Sequence, residues 1–124
     1  MASKDVIKEW FGRGNTDIEE AEFLLGNERS LETVSFLIQQ AVEKYLKGFL
    51  IYHGWELEKT RDLVKLLKET IKIDNSFEQY SSLAREVKNF YFESRYPIGY
   101  DLEYTNEGMA VSLKAAKKLI ALIK

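Results

Sequence analysis

Between Val34 and Tyr52 the chain repeats apolar residues at steps of three and four: Val34, Leu37, Ile38, Ala41, Tyr45, Leu46, Phe49 and Tyr52. That spacing lays them on one broad face of an α-helix, and such a face has to be buried. Gln40, Glu43, Lys44 and Lys47 fall at i, i+3, i+4 and i+7, so they line a second, polar stripe. Ser30 ahead and Gly54 behind predict an N-cap and a C-terminal stop. A helix from Leu31 to Tyr52 would be roughly 33 Å long, and the other helices must pack along it.

Four further segments carry helical spacing. The first runs from Lys4 to Leu25, capped by Ser3 and closed by Gly26-Asn27, with Ile7, Trp10, Phe11, Ile18, Ala21, Leu24 and Leu25 facing in. Gly12 and Gly14 interrupt it and mark either a bend or a place where another backbone comes close. A short link forces the second helix to return antiparallel. Thr60 is the expected cap of a third helix, with Asp62 in its first turn and Leu63, Leu66, Leu67 and Ile71 buried. Asp74-Asn75-Ser76 reads as a turn and a new cap. A fourth helix follows, with Phe77, Tyr80, Leu83, Ala84, Val87, Phe90 and Tyr91 inside, and it must stop before Pro97. Thr105 caps a fifth, with Met109, Leu113, Ala116, Ile120 and Ile123 inward and Lys114, Lys117, Lys118 and Lys124 toward its C-terminal end. The expectation is an all-α fold: one domain over residues 1–124, an antiparallel up-and-down bundle of four to five helices.

Composition narrows the chemistry. With 124 residues, 45% hydrophobic and 31% charged, the chain can bury a core without a staple. The absence of cysteine excludes disulfides, thiolate zinc sites and a cysteine nucleophile, and the lone histidine, His53, excludes an all-histidine metal cage. A net charge of −2 argues against a broad electrostatic grip on nucleic acid, though not against a local basic patch. Met1 to Asp5 lacks the apolar stretch of a signal peptide, and no apolar run is long enough to span a bilayer. A soluble, cytoplasmic protein without cofactor or metal is expected.

Two groups of residues could carry chemistry. The stripe of Gln40, Glu43, Lys44 and Lys47 reads either as a solvated face with an i, i+4 pair, or as hydrogen-bonding groups across a groove. The run from Tyr91 to Tyr100 sets Arg95 among aromatic rings at a helix end. It reads either as a plug that satisfies the last carbonyls, or as a place to stack a base and hold a phosphate. Arg61-Asp62 is explained as well by a helix start as by a polar surface, and His53 by a helix-end cation or hydrogen bonder.

Taken in order, Trp10 with Asp17 and Ala21, the block Gln39-Gln40-Ala41-Val42-Glu43-Lys44-Tyr45-Leu46-Lys47-Gly48-Phe49-Leu50, Thr60-Arg61-Asp62-Leu63 and Arg95-Tyr96-Pro97 resemble the HEPN family, helical domains of higher eukaryotes and prokaryotes associated with nucleotides. The resemblance implies an up-and-down bundle, usually a homodimer, that binds a nucleotide or presents one to a partner minimal nucleotidyltransferase. On that reading Lys44, Lys47 and Arg95 contact phosphate, Tyr91 or Tyr96 stacks a base, and Gln40 and Glu43 orient the site. Two departures stand out: Arg61 replaces a common histidine, and no histidine follows Arg95, as it does in members that cut RNA. Metal-independent RNA cleavage needs a base and an acid that histidine supplies near neutral pH. A non-catalytic module is therefore expected over two alternatives, a degenerate ribonuclease toxin of a toxin-antitoxin pair and a purely structural dimer.

Overall fold

The computed structural model describes residues 4–27, 31–55, 62–81 and 106–123. Within them the chain forms α1 (Lys4–Gly26), α2 (Leu31–Tyr52), α3 (Leu63–Ile73), a short 3-10 helix (Asn75–Tyr80) and α4 (Asn106–Ile123), and there is no strand among the described residues. The all-α bundle is as its spacing foretold, and α2 has the expected bounds. It is the central element, packing against α1, α3 and α4, while α1 also meets α4 and the 3-10 helix bridges α3 and α4.

Local signals account for the ends. At α2 the Trp55 amide donates to the Leu50 carbonyl at 2.9 Å and the Gly54 amide to Ile51 at 3.0 Å. This is a Schellman closure, which needs the left-handed φ of 90° that Gly54 adopts without Cβ strain. Asp62, not Thr60, caps α3: its carboxylate accepts the Val64 and Lys65 amides at 3.1 and 3.3 Å. A cap must sit directly before the first helical residue for its side chain to reach the second and third amides, and Asp62 is the residue so placed. Asp74 ends α3 and caps the 3-10 helix. Hydrogen bonds from the hydroxyl and amide of Ser76 hold its carboxyl below the usual carboxylate value. Phe77, expected in a regular fourth helix, sits instead in this tighter turn. The remainder of that expected helix, and the expected caps Ser3, Ser30 and Thr105, lie outside the described residues.

α1 is unbroken through Gly12 and Gly14. A Cβ on Gly14 would stand 2.7 Å from the Tyr45 ring and 3.3 Å from the Ala41 carbonyl, whereas one on Gly12 would meet nothing within 4 Å. Gly14 is therefore the close approach, and Gly12 is a solvent-facing residue. Gly48 is the matching notch on α2, where a Cβ would stand 2.6 Å from Phe11 and 3.2 Å from Trp10. Phe11 and Tyr45 stack between the two notches at 5.2 Å. Tyr45, Leu46 and Leu50 of α2 join Leu63, Leu66, Phe77, Met109, Ala116 and Leu119 in the core. Tyr52, placed by its spacing on the same face, is 64% exposed because it is the last residue of α2 and the chain turns away behind it.

Candidate functional site

The polar stripe of α2 is not a solvated face. Glu43 and Lys47 are 6% and 7% exposed, and Gln39 beside them is 1% exposed. Helix α1 covers part of the stripe, because the glycine notches bring the two axes close enough for α1 side chains to reach past the core. Burying such charges is tolerable only when they are paired. The structure supplies the pairs: Lys47 Nζ lies 3.9 Å from Glu43 Oε2 and 5.8 Å from the centroid of the Trp10 ring. Lys44 Nζ reaches across to Asp17 Oδ2 of α1 at 2.5 Å, with both side chains about one-fifth exposed (22% and 16%). Two acids, Asp17 and Glu43, thus face two bases, Lys44 and Lys47, and the seam is electrically balanced.

Beside the seam is a cleft of about 270 Å³, lined by Val6, Glu9, Trp10 and Arg13 of α1 and by Lys44 of α2. Trp10, expected in the core, is half-buried and forms one wall. Arg13 stands at the rim, held at 2.8 Å by Glu9, and both side chains are well exposed at 67% and 62%. An exposed pair of this kind is worth between zero and about 1 kcal/mol, so an incoming anion can take the guanidinium from Glu9 at small cost. Arg13 and Glu9 escaped the spacing argument because each sits on the solvent side of an amphipathic helix. The signal that could have found them is their i, i+4 register with Asp17, which Trp10 and Lys44 flank.

Of the residues proposed from sequence, Gln40, Glu43, Lys44 and Lys47 share the α1–α2 seam. Lys44 alone of these lines the cleft. The Gln40 Nε2 and Gln39 Oε1 atoms are buried and find no hydrogen-bond partner among the described residues. Unsatisfied buried amides are costly, and two on one polar stripe suit a ligand or water better than a dry core. Tyr91, Arg95 and Tyr96 lie outside the described residues, as does Arg61. His53 is exposed at the end of α2, its ring 4.5 Å from that of Phe49. It stands nine residues past Lys44, roughly 13 Å along the axis, and is not among the residues that line the cleft. Among the described residues no group of three or more acids or histidines is placed to hold a metal ion, and no helix is long and apolar enough to cross a membrane.

A profile of the HEPN domain matches residues 7–124. No protein of curated function matches the chain. Two solved structures share its architecture. ST0689, an archaeal HEPN homologue, superposes with a TM-score of 0.75 at 24% identity, covering 94% of this chain and 93% of that one. TT1696 from Thermus thermophilus gives a TM-score of 0.78 at 22% identity, covering 94% of each chain. At such identities the likeness is one of fold.

Proposed function

The chain belongs to the HEPN family, and on that premise we propose that it is a nucleotide-binding module acting beside a minimal nucleotidyltransferase. The observation that carries this reading is the convergence of Trp10, Arg13 and Lys44 on one cleft, against a seam of paired charges. The indole offers a base a surface to stack on, and the guanidinium and ammonium offer a phosphate charge-assisted hydrogen bonds. Arg95 would add a second guanidinium, and Tyr91 or Tyr96 a second ring. Gln40 and Glu43 would hold the lysines in register.

Size and charge narrow the ligand. A cleft of about 270 Å³ is at the small end for ligand sites, enough for a base and little more. Glu9, Asp17 and Glu43 offset Arg13, Lys44 and Lys47. Only Arg13, whose pair with Glu9 is exposed, is released to a phosphate at small cost, so the described residues suit one phosphate better than three. A nucleoside monophosphate, or a nucleotide end presented by a larger substrate, suits the site better than a triphosphate. RNA cleavage gains no support, since the one histidine is not among the residues that line the cleft.

Calorimetry with AMP, ADP and ATP in the absence of magnesium tests this. AMP should bind at least as well as ATP, and Arg13→Ala should weaken AMP roughly tenfold, the value of one charge-assisted contact. Arg95→Ala should weaken it too, and Arg95→Lys less. No binding of any nucleotide to the wild-type protein, or binding indifferent to Arg13 and Lys44, would reject the site. RNA cleavage dependent on Arg95 would replace the reading with a ribonuclease.

A further inference from the structure

A second opening lies between α1 and α4, and among the described residues it shares none of its lining with the cleft. It is a groove of about 430 Å³ lined by Glu22 and Leu25 of α1 and by Ala110, Leu113, Lys114, Lys117, Lys118 and Ala121 of α4. Leu113 is buried and Leu25 half-buried, so the groove has an apolar floor, while the three lysines are exposed. Lys117 is paired with Glu22 at 2.8 Å. Lys114 and Lys118 make no ion pair among the described residues. Val111 and Leu122, 66% and 40% exposed, follow the same helical register as Lys114 and Lys118 and continue the surface along α4. Ala110 and Ala121 lie eleven residues apart, roughly 16 Å or three helical turns, and neither has a side chain bulky enough to keep a partner's backbone away.

We propose that this groove docks an acidic amphipathic helix of a protein partner. The partner's apolar stripe would lie on Leu25, Ala110, Leu113 and Ala121, and its carboxylates would meet Lys114 and Lys118, as in other helix-in-groove complexes. Charge complementarity selects this occupant: two lysines that make no ion pair among the described residues flank an apolar floor, and an acidic helix supplies both opposite charge and apolar cover. Nucleic acid fits less well. Among the described residues no aromatic ring lines the groove to stack a base, and the Glu22 carboxylate would face the phosphates.

The test uses the full chain and a labelled helical peptide of about four turns, bearing a leucine-alanine stripe flanked by glutamates. Its lysine-for-glutamate counterpart and a single-stranded oligouridine are the other arms, and fluorescence anisotropy is the readout. The acidic peptide should bind the wild-type protein with an affinity that falls as salt rises. The double variant Lys114→Glu/Lys118→Glu should bind it roughly tenfold more weakly and accept the basic peptide instead. Ala110→Trp, which plugs the groove from an exposed position, should abolish binding, and unchanged thermal melts would show both variants folded. The proposal is overturned if the acidic peptide does not bind. Oligouridine held by the same two lysines would also overturn it, as would self-association of the wild-type chain in light scattering that Ala110→Trp removes. AMP affinity should be unchanged in these variants, so this result and the nucleotide result stand or fall separately.

Discussion

Helices α2 and α4 each carry lysines at helical spacing, and the fold treats them oppositely. On α2, Lys47 is buried beside Glu43 and under the Trp10 ring, and Lys44 is drawn across to Asp17. On α4, Lys114 and Lys118 stand in solvent over an apolar groove and make no ion pair among the described residues. The difference lies in the neighbouring helix. Where α1 runs against α2, glycine notches bring the backbones together, and α1 supplies both an acid and an aromatic cover. Where α1 runs against α4, it supplies only Glu22, which Lys117 takes. A charged stripe is thus neither surface nor site until the element facing it is known.

The largest effect should come from breaking the buried half of this comparison. Glu43→Ala leaves Lys47 buried with its acid removed, which costs about 3–5 kcal/mol. Thermal melts should fall by roughly 10–20 °C. Replacing both partners with apolar residues of similar shape, Glu43→Leu/Lys47→Met, should recover most of the loss. A double variant as unstable as Glu43→Ala alone would mean that the two charges are not a unit.

The notches that make the seam possible come next. Gly14→Ala drives a methyl to within 2.7 Å of the fully buried Tyr45 ring, where overpacking costs about 1–3 kcal/mol and outweighs the roughly 1 kcal/mol that alanine gains in a helix. Gly12→Ala in the same helix meets nothing and should stabilise by up to about 1 kcal/mol. Chemical denaturation of the two variants checks the opposite signs.

Exposed charges should matter little. The carboxyl of Asp74 is held below its ordinary value by Ser76, so it stabilises the fold at neutral pH, and that contribution is lost as pH falls through the carboxylate range. Because Asp74 is fully exposed, acid titration of Ser76→Ala against wild type should show only a slight difference, confined to that acid limb. Smallest of all, Lys114→Ala/Lys118→Ala should leave stability within about 0.5 kcal/mol of wild type. A marked loss there would mean that α4 uses its lysines as α2 does.

How much of this was legible depended on which contacts are local. Helix α2 was readable because its spacing and the Gly54 stop lie within or directly beside the segment itself. The cap of α3 was misplaced by two residues, since Thr60 and Asp62 are both good caps and only the backbone path chooses between them. The stripe of Gln40, Glu43, Lys44 and Lys47 was visible as a stripe, but its burial was not, because it depends on Gly14 and Gly48 matching across a long sequence separation. Arg13 and Glu9 were missed for the same reason: their i, i+4 register with Asp17 is visible within α1, but nothing in α1 shows that Lys44 faces that row.

The most direct test of the account places a probe in the cleft itself. Trp10 and Trp55 are the two tryptophans of the chain, so in a Trp55→Phe protein Trp10 is the sole indole. Titrating AMP against its emission should give a saturable change, with a midpoint that Arg13→Ala shifts to higher concentration by roughly tenfold. Trp10 emission that stays constant while calorimetry registers bound AMP would place the nucleotide elsewhere and contradict the site.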